Sequence, residues 1–217
     1  KLIENELSYI NYIIINVLNV YYLLNQTLQL TTKEFQLIPP PAFALKYKEQ
    51  RIIWHYTNKV VPSLNHWQRT HESILCCSKE KPHFNRDDVR EPYTDGFLKN
   101  AAGKVRKATK GRFSNGEKET VYKAHENGAL PRDVIKVPAL AGGAGKKERV
   151  DHPTQKPLAL CEKLIKASKN GDDTLLVVPF AGSGSECVAA KMENINFIGY
   201  EINEEYVELC GERLAAL

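Results

Sequence analysis

The sequence has five cysteines (Cys76, Cys77, Cys161, Cys187 and Cys210) but no CxxC pair and no Cys/His spacing of the kind that holds zinc. An odd cysteine count in a chain of 217 residues argues against a disulfide framework and for a reducing compartment. The six histidines are scattered, with no HExxH arrangement, so no metal site is expected. No internal repeat is found, and no basic n-region with a small-residue cleavage site. Long apolar runs are scarce as well. The uncharged stretch Leu7 to Leu24 is interrupted by Asn11, Asn16 and Asn19, and its tyrosines are spread through it rather than gathered at its ends. That pattern predicts a buried helix or helix–strand pair and no membrane span. The first residue is Lys1, not Met, and a core shortened at its N-terminus is the expectation.

What is present is an ordinary globular composition, 42% hydrophobic and 26% charged, in a chain long enough to bury one substantial core. The net charge of +4 is unevenly spread: Lys99 to Val150 holds 13 Lys/Arg against 5 Asp/Glu, a net +8, which leaves the remainder mildly acidic. Positive charge concentrated in this way suits a polyanionic partner. Three parts follow from composition. Residues 1–90 are mixed apolar elements, with short strands expected at Arg51–Trp54 and Glu72–Cys77, and Pro39-Pro40-Pro41 as a rigid break. Residues 91–150 are glycine-rich, with Gly142-Gly143-Ala144-Gly145 and little periodicity, and read as a loop-rich region that a partner orders. Residues 151–217 are compact and periodic.

In this last part, Asp173–Val178 is a nearly continuous apolar run, as a buried parallel strand requires. It leads into Pro179-Phe180-Ala181-Gly182-Ser183-Gly184-Ser185, a helical segment to Lys191, a second strand Asn196–Tyr200 ending at Glu201, and a final amphipathic helix with Tyr206, Val207, Leu209, Cys210 and Leu214 on its apolar side. This is the opening unit of a doubly wound α/β nucleotide-binding fold. Gly182 and Gly184 permit a sharp turn and close approach to a ligand. Glu201, 17 residues beyond Gly184, is placed to accept ribose hydroxyls. No third glycine follows, as a dinucleotide fingerprint would need, and Glu186 at the helix start disfavours a pyrophosphate. S-adenosylmethionine, which is cationic at sulfur, is favoured over NAD. Upstream, His152-Pro153-Thr154-Gln155-Lys156-Pro157 precedes a helix, with Thr154 expected as its cap and Pro157 in its first turn. Thr154 and Lys156 could then hold an amino-acid carboxylate.

Taken together, His-Pro-Thr-Gln-Lys-Pro, a helix, Pro-Phe-Ala-Gly-Ser-Gly-Ser and Gly-Tyr-Glu-Ile resemble the beta class of DNA amino-methyltransferases of restriction–modification systems. Ile52-Ile53-Trp54 and His71–Lys81 resemble that family's late strands. The resemblance implies a Rossmann-like methyltransferase sheet with an irregular basic DNA-recognition lobe. It divides the chain into a first part of the core (1–90), a target-recognition region (91–150) and an S-adenosylmethionine-binding half (151–217). The implied reaction is transfer of a methyl group to the exocyclic amine of adenine (N6) or cytosine (N4). Pro179, Phe180, Gly182, Ser183, Gly184 and Glu201 would hold the adenosine end of the cofactor, Thr154 and Lys156 the methionine end. Lys104, Arg106, Lys107, Lys110 and Arg112 would contact double-stranded DNA, in the cytoplasm at the nucleoid.

Two positions depart from the family pattern. Val178 stands where the family usually has Asp before Pro-Phe. The catalytic tetrapeptide, (Asp/Asn/Ser)-Pro-Pro-(Tyr/Phe/Trp), is missing, so no catalytic group is assigned; Ile38-Pro39-Pro40-Pro41 has neither the acceptor nor the aromatic and lies too close to Trp54. A second chain or an upstream segment supplying the tetrapeptide is compatible with this reading, as is a homodimer. The rivals are a non-catalytic S-adenosylmethionine-dependent DNA-binding subunit, half of a split enzyme and, less well matched, a Rossmann oxidoreductase.

Overall fold

A computed structural model describes residues 2–4, 11–14, 48–58, 63–78, 82–113, 115–143, 145–171 and 174–217. The Pro39–Pro41 break and most of the Leu7–Leu24 run lie outside these residues. Within that run, Asn11–Ile14 is a strand. The chain divides into two compact units, one formed by Lys1–Asn85 with Arg132–Leu217 and the other by Arg86–Pro131.

The first unit holds a four-stranded sheet built from β1 (Leu2–Glu4), β2 (Asn11–Ile14), β8 (Thr174–Val178) and β9 (Asn196–Tyr200), in the order β1-β9-β8-β2. β8 runs parallel to both β2 and β9, and β1 closes the edge antiparallel to β9. β8 is buried along almost its whole length, with only Val177 partly exposed, which explains its unbroken apolar sequence. A second, three-stranded sheet pairs β3 (Lys48–His55) antiparallel with β4 (His71–Ser78) and parallel with β7 (Val134–Lys136). Both strands expected upstream are present, each longer than its apolar centre.

One helix joins two hydrophobic cores. It spans Leu158–Ser168, between β7 and β8. Its Cys161 and Ile165 pack with Leu176, Val178, Ala189, Ile195 and Phe197 of the first core. Leu160 and Leu164 pack instead with Trp54, Tyr56, Ile74 and Ile135 of the second. Residues four positions apart thus share a face while adjacent ones serve different cores, as 3.6 residues per turn dictates. Burying Leu160 and Ile165 is worth roughly 1.5–3 kcal/mol each. The helices Ser185–Met192 and Glu204–Ala215 complete the unit. The last is less buried than its apolar pattern predicts: Cys210 alone is fully enclosed, and Tyr206, Val207, Leu209 and Leu214 are half-buried.

The second unit holds a six-residue helix, Asp95–Asn100, started by Thr94 Oγ1 accepting from the Phe97 amide. It also holds a two-stranded antiparallel ribbon of β5 (Val105–Lys107) and β6 (Glu119–Val121). The basic stretch read as one region therefore divides. Residues 132–150 belong to the first unit because β7 pairs with β3, a pairing that the spacing of charges and glycines could not reveal. Numbered along the chain, the helices are α1 (Asp95–Asn100), α2 (Leu158–Ser168), α3 (Ser185–Met192) and α4 (Glu204–Ala215). Among the described residues no helix is long and apolar enough to cross a membrane, and no three His, Cys, Asp or Glu side chains cluster in a way that could hold a metal ion.

Candidate functional site

In an open parallel sheet, ligands bind beyond the carboxyl ends of the strands. β8 ends at Val178, and the chain then turns through Pro179 to Gly184 before α3 begins. Both glycines have left-handed backbones, Gly182 at φ 52° and Gly184 at φ 72°, a conformation that costs an L-residue roughly 1–2 kcal/mol. Space also demands them. A Cβ at Gly182 would come within 2.8 Å of His152 Nε2, and one at Gly184 would collide with Cys210 Sγ. Gly184 is therefore required by α4 packing against the loop, and Gly182 by the loop upstream of α2.

Glu201 is the pin of this turn. Its Oε2 accepts the Gly182 amide at 2.7 Å, while Oε1 accepts the amides of Ile202 at 2.8 Å and Asn203 at 2.9 Å. The carboxylate that the sequence places for ribose hydroxyls also holds the backbone of the glycine turn and of the entrance to α4. Pro179 and Phe180 are half-buried beside it, and Ser183 is buried, its hydroxyl 3.2 Å from that of Ser185.

Arg213 of α4 was not anticipated from the sequence. Its guanidinium donates to the Ser183 carbonyl and to Ser185 Oγ, and so clamps the glycine loop from behind. An arginine in the last turn of an amphipathic helix carries no motif, and only the fold brings it 30 residues back to the loop. Half-buried Glu186, in the first turn of α3, has its carboxyl pushed above the usual range by burial, with Lys156 and Arg213 opposing the rise.

The segment before α2 departs from expectation. Thr154 is exposed and does not cap the helix; the N-cap is Pro157, which has no side-chain hydrogen bond to give. The capping role falls to Glu148, whose Oε1 accepts the Leu158 amide at 2.7 Å. A carboxylate ten residues upstream can reach there because Gln155 folds the loop back, donating to the Glu148 carbonyl and accepting from the Val150 amide. Lys156 faces Glu72 of β4, Nζ to Oε2 at 3.0 Å, and lies 5.6 Å over the Trp54 ring. Both partners of this pair are less than one-fifth exposed. His152 packs edge-on against Tyr206 at 4.5 Å and accepts at Nδ1 from the Thr154 amide. Burial holds its pKa below the usual histidine value, with Lys156 and Arg213 adding to the depression and Glu201 opposing it.

The five basic side chains singled out from the sequence gather on the ribbon of the second unit, and all are exposed. Lys104 Nζ donates to the Lys99 carbonyl and Arg106 to that of Asn100. Lys107 lies 3.6 Å from Glu119 across the strand pair, and Lys110 and Arg112 occupy the connecting loop. From Lys104 to Lys118 there are six Lys/Arg and one acid, Glu117. The loop also presents Phe113, 93% exposed, with the Arg112 guanidinium 5.4 Å from its ring centre. An aromatic among basic residues at a hairpin tip is a nucleic-acid signal that charge counting alone passed over.

A family model described as DNA methylase matches residues 43–212. The type II methyltransferase M.HpaI of Haemophilus parainfluenzae is 33% identical over 172 residues, covering 77% of this chain and 45% of that protein. The type II methyltransferase M.ScaI of Streptomyces caespitosus is 29% identical over 174 residues, 78% of this chain and 51% of its own length. The DNA adenine methyltransferase YhdJ of Escherichia coli K12 is 29% identical over 171 residues. The chain spans about half the length of these curated relatives. A solved structure described as M1.HpyAVI in complex with SAM aligns over 85% of this chain and 71% of its own, with a TM-score of 0.52 and 22% identity, which is likeness of fold.

Proposed function

This chain belongs to the DNA methylase family, and from that premise we propose that it binds S-adenosylmethionine at the loop following β8 and acts in methyl transfer to the exocyclic amine of adenine or cytosine in DNA. The observation that carries the reading is the Gly182–Glu201 bond at the carboxyl end of β8, which holds a glycine turn open where a nucleoside would lie. The residues fit that cofactor. Phe180 and Pro179 offer an apolar wall for an adenine ring. Each carboxylate oxygen can accept two hydrogen bonds, so Glu201 can hold the turn and still meet a ribose hydroxyl. Half-buried Glu186 suits a cationic ligand better than a pyrophosphate. When bound, S-adenosylmethionine supplies a methyl group on a sulfonium, itself an excellent leaving group.

Lys156, paired with Glu72, stands at the methionine end and would exchange that partner for the amino-acid carboxylate; Thr154, exposed beside it, offers a hydroxyl. The basic ribbon suits the DNA. A two-stranded β-ribbon fits the major groove, about 12 Å wide, with Lys104, Arg106, Lys107, Lys110 and Arg112 toward phosphates. The target base leaves the stack to reach the methyl group, at a cost of about a few kcal/mol. A DNA substrate places the protein in the cytoplasm, at the nucleoid.

Isothermal calorimetry tests the cofactor reading: S-adenosylhomocysteine binds and NAD does not. NAD binding without S-adenosylhomocysteine binding would replace it with the oxidoreductase reading. A second reading, in which an upstream segment or a second chain supplies the catalytic tetrapeptide, is favoured by one sequence fact: no acceptor-Pro-Pro-aromatic tetrapeptide occurs in these 217 residues. The isolated chain should then transfer little tritiated methyl to mixed-sequence duplex DNA until a polypeptide carrying that tetrapeptide is supplied. Robust turnover by the chain alone would show that another element does its work.

A further inference from the structure

The chain has two tryptophans with opposite surroundings. Trp54 is 3% exposed in the second core, and Trp67, between β3 and β4, is 100% exposed. The base of this β3–β4 connection is held firmly. Tyr56 is buried edge-on against Trp54, its amide donates to the Thr70 carbonyl, and its hydroxyl donates to the His71 carbonyl. Arg69 Nε donates to that same His71 carbonyl, and Asn58 binds the backbone of Ala139 through both its amide nitrogen and its oxygen. A pinned base presenting an exposed tip loses little further freedom on binding, which is the economy of a preorganised contact.

The tip's composition says what it meets. Asn65, His66, Trp67, Gln68 and Arg69 are five consecutive exposed side chains, and all are types that stack on bases or hydrogen-bond to their edges. No acid lies among them, and the apolar neighbour is Leu64, 97% exposed, which with Asn65, His66 and Trp67 lines an open hollow. β3 and β7 are parallel and end together at the His55–Lys136 pair, so the chain leaving β7 starts from the end of the sheet that carries this connection. That chain carries exposed Lys146, Lys147 and Arg149, and the acid between them, Glu148, is turned inward onto the Leu158 amide.

We propose that the β3–β4 tip is a nucleobase-contacting element in which Trp67 stacks on an unpaired base of the DNA, with Asn65, Gln68 and Arg69 beside it to meet base edges or phosphate. The inference rests on the DNA methylase reading and adds to it a contact outside the basic ribbon. Its ligand is a base whose stacking partner has gone, the situation that flipping a nucleotide creates in the strand left behind.

The test uses the full chain and two fluorescein-labelled duplexes of mixed sequence, one fully paired and one with a single abasic site. Affinity is read by fluorescence anisotropy, and tryptophan emission is read in unlabelled copies of the same duplexes. We expect the exposed tryptophan's emission to be quenched by DNA, more strongly by the abasic duplex. Trp67→Phe leaves Trp54 as the sole emitter, so its unchanged emission certifies the fold while the DNA-dependent quenching disappears. Trp67→Ala should weaken binding about tenfold with the salt dependence of affinity unaltered, because stacking releases no counterions. Salt-sensitive DNA binding with unquenched emission and unchanged affinity in Trp67→Ala overturns this inference alone. No DNA binding at all overturns it together with the reading beneath it. Emission that shifts with protein concentration in the absence of DNA would assign the tip to contact between copies, and also overturns it.

Discussion

Glu201 Oε2 lies 2.7 Å from the Gly182 amide, across a gap of 19 residues, and so ties the end of β9 to the turn that follows β8. The same carboxylate takes the amides of Ile202 and Asn203, and Asn203 in turn caps α4 by accepting from the Glu205 amide. Three orphan amides at a helix entrance and one in the glycine turn are thus organised from a single side chain and its neighbour. The carboxylate builds the shape of the site before it touches any ligand.

Glu201→Gln should therefore be more harmful than the loss of one ribose contact. An amide side chain keeps one acceptor oxygen and must turn a donor toward an N–H group. Loss of a charge-assisted bond is worth roughly 1.5–3 kcal/mol, so S-adenosylhomocysteine affinity should fall by about tenfold or more in calorimetry. The melting temperature should fall as well, which separates a residue that shapes the turn from one that only binds. Weaker binding with unaltered melting would assign Glu201 to the ligand alone.

The parts of the fold legible in the sequence were those whose pattern is local. β8 is a nearly continuous apolar run, β9 is a short strand ending at an acid, and α3 follows a glycine turn, so strand, loop and helix fall where spacing puts them. What escaped the sequence depends on contacts across the chain. Glu148 caps α2 from ten residues away, a role that adjacency gave to Thr154. Lys156 meets Glu72 across 84 residues, and Arg213 returns to Ser183 across 30. β7 has three residues and joins β3 through register alone, too short for periodicity to betray it. The glycine turn and Glu201 can be named from the sequence; Arg213, Glu148 and the partner of Lys156 come into view only in the fold.

Gly184→Ala probes the tightest packing in the site. The substitution imposes a φ of 72° on alanine and drives its Cβ into Cys210 Sγ, with Cys210 Cβ at 2.9 Å. Backbone strain and overpacking together should cost roughly 2–5 kcal/mol in urea unfolding. Adding Cys210→Ala removes the sulfur and should recover part of that loss, leaving the strain and the Cβ contact. Strictly additive losses in the two variants would show that Cys210 is not what fixes glycine at this position.

His152 gives the site a pH dependence of definite sign. Its folded pKa is depressed, chiefly by burial, below the unfolded value of about 6.5. Between the two values the unfolded chain binds the extra proton, so stability falls as pH drops through about 6.5 and levels off below the folded pKa. Protonation would also put a hydrogen on Nδ1, which now accepts the Thr154 amide. Half-buried Glu186 acts in the opposite direction, since its raised pKa favours the folded state as it takes up a proton. Thermal melts of the chain and of His152→Gln from about pH 7.5 to 5.5 isolate the histidine: the variant should lose less stability on acidification. Parallel melting curves for the two would remove His152 as the cause.

The ribbon's charge makes the remaining prediction, and it differs in kind from the stacking at Trp67. Each phosphate met by a cation releases counterions, so the logarithm of affinity falls with the logarithm of salt by about 0.9 per contact. Lys104, Arg106, Lys107 and Lys110 lie within seven residues of one ribbon, all exposed. Replacing the four with Gln should flatten the salt slope by up to about 3–4 and weaken binding at low salt much more than at high salt. Stability should hardly change. The Lys107–Glu119 pair is a surface pair of the kind worth about 0–1 kcal/mol, and the carbonyls of Lys99 and Asn100 that lose their donors are open to water. Anisotropy titrations across a salt series, with a melt of each protein beside them, read both quantities. A flattened slope with an unchanged melt assigns the ribbon to the DNA backbone. A slope identical to that of the parent chain would move the phosphate contacts to the other cluster of positive charge, Lys146, Lys147 and Arg149, in the first unit.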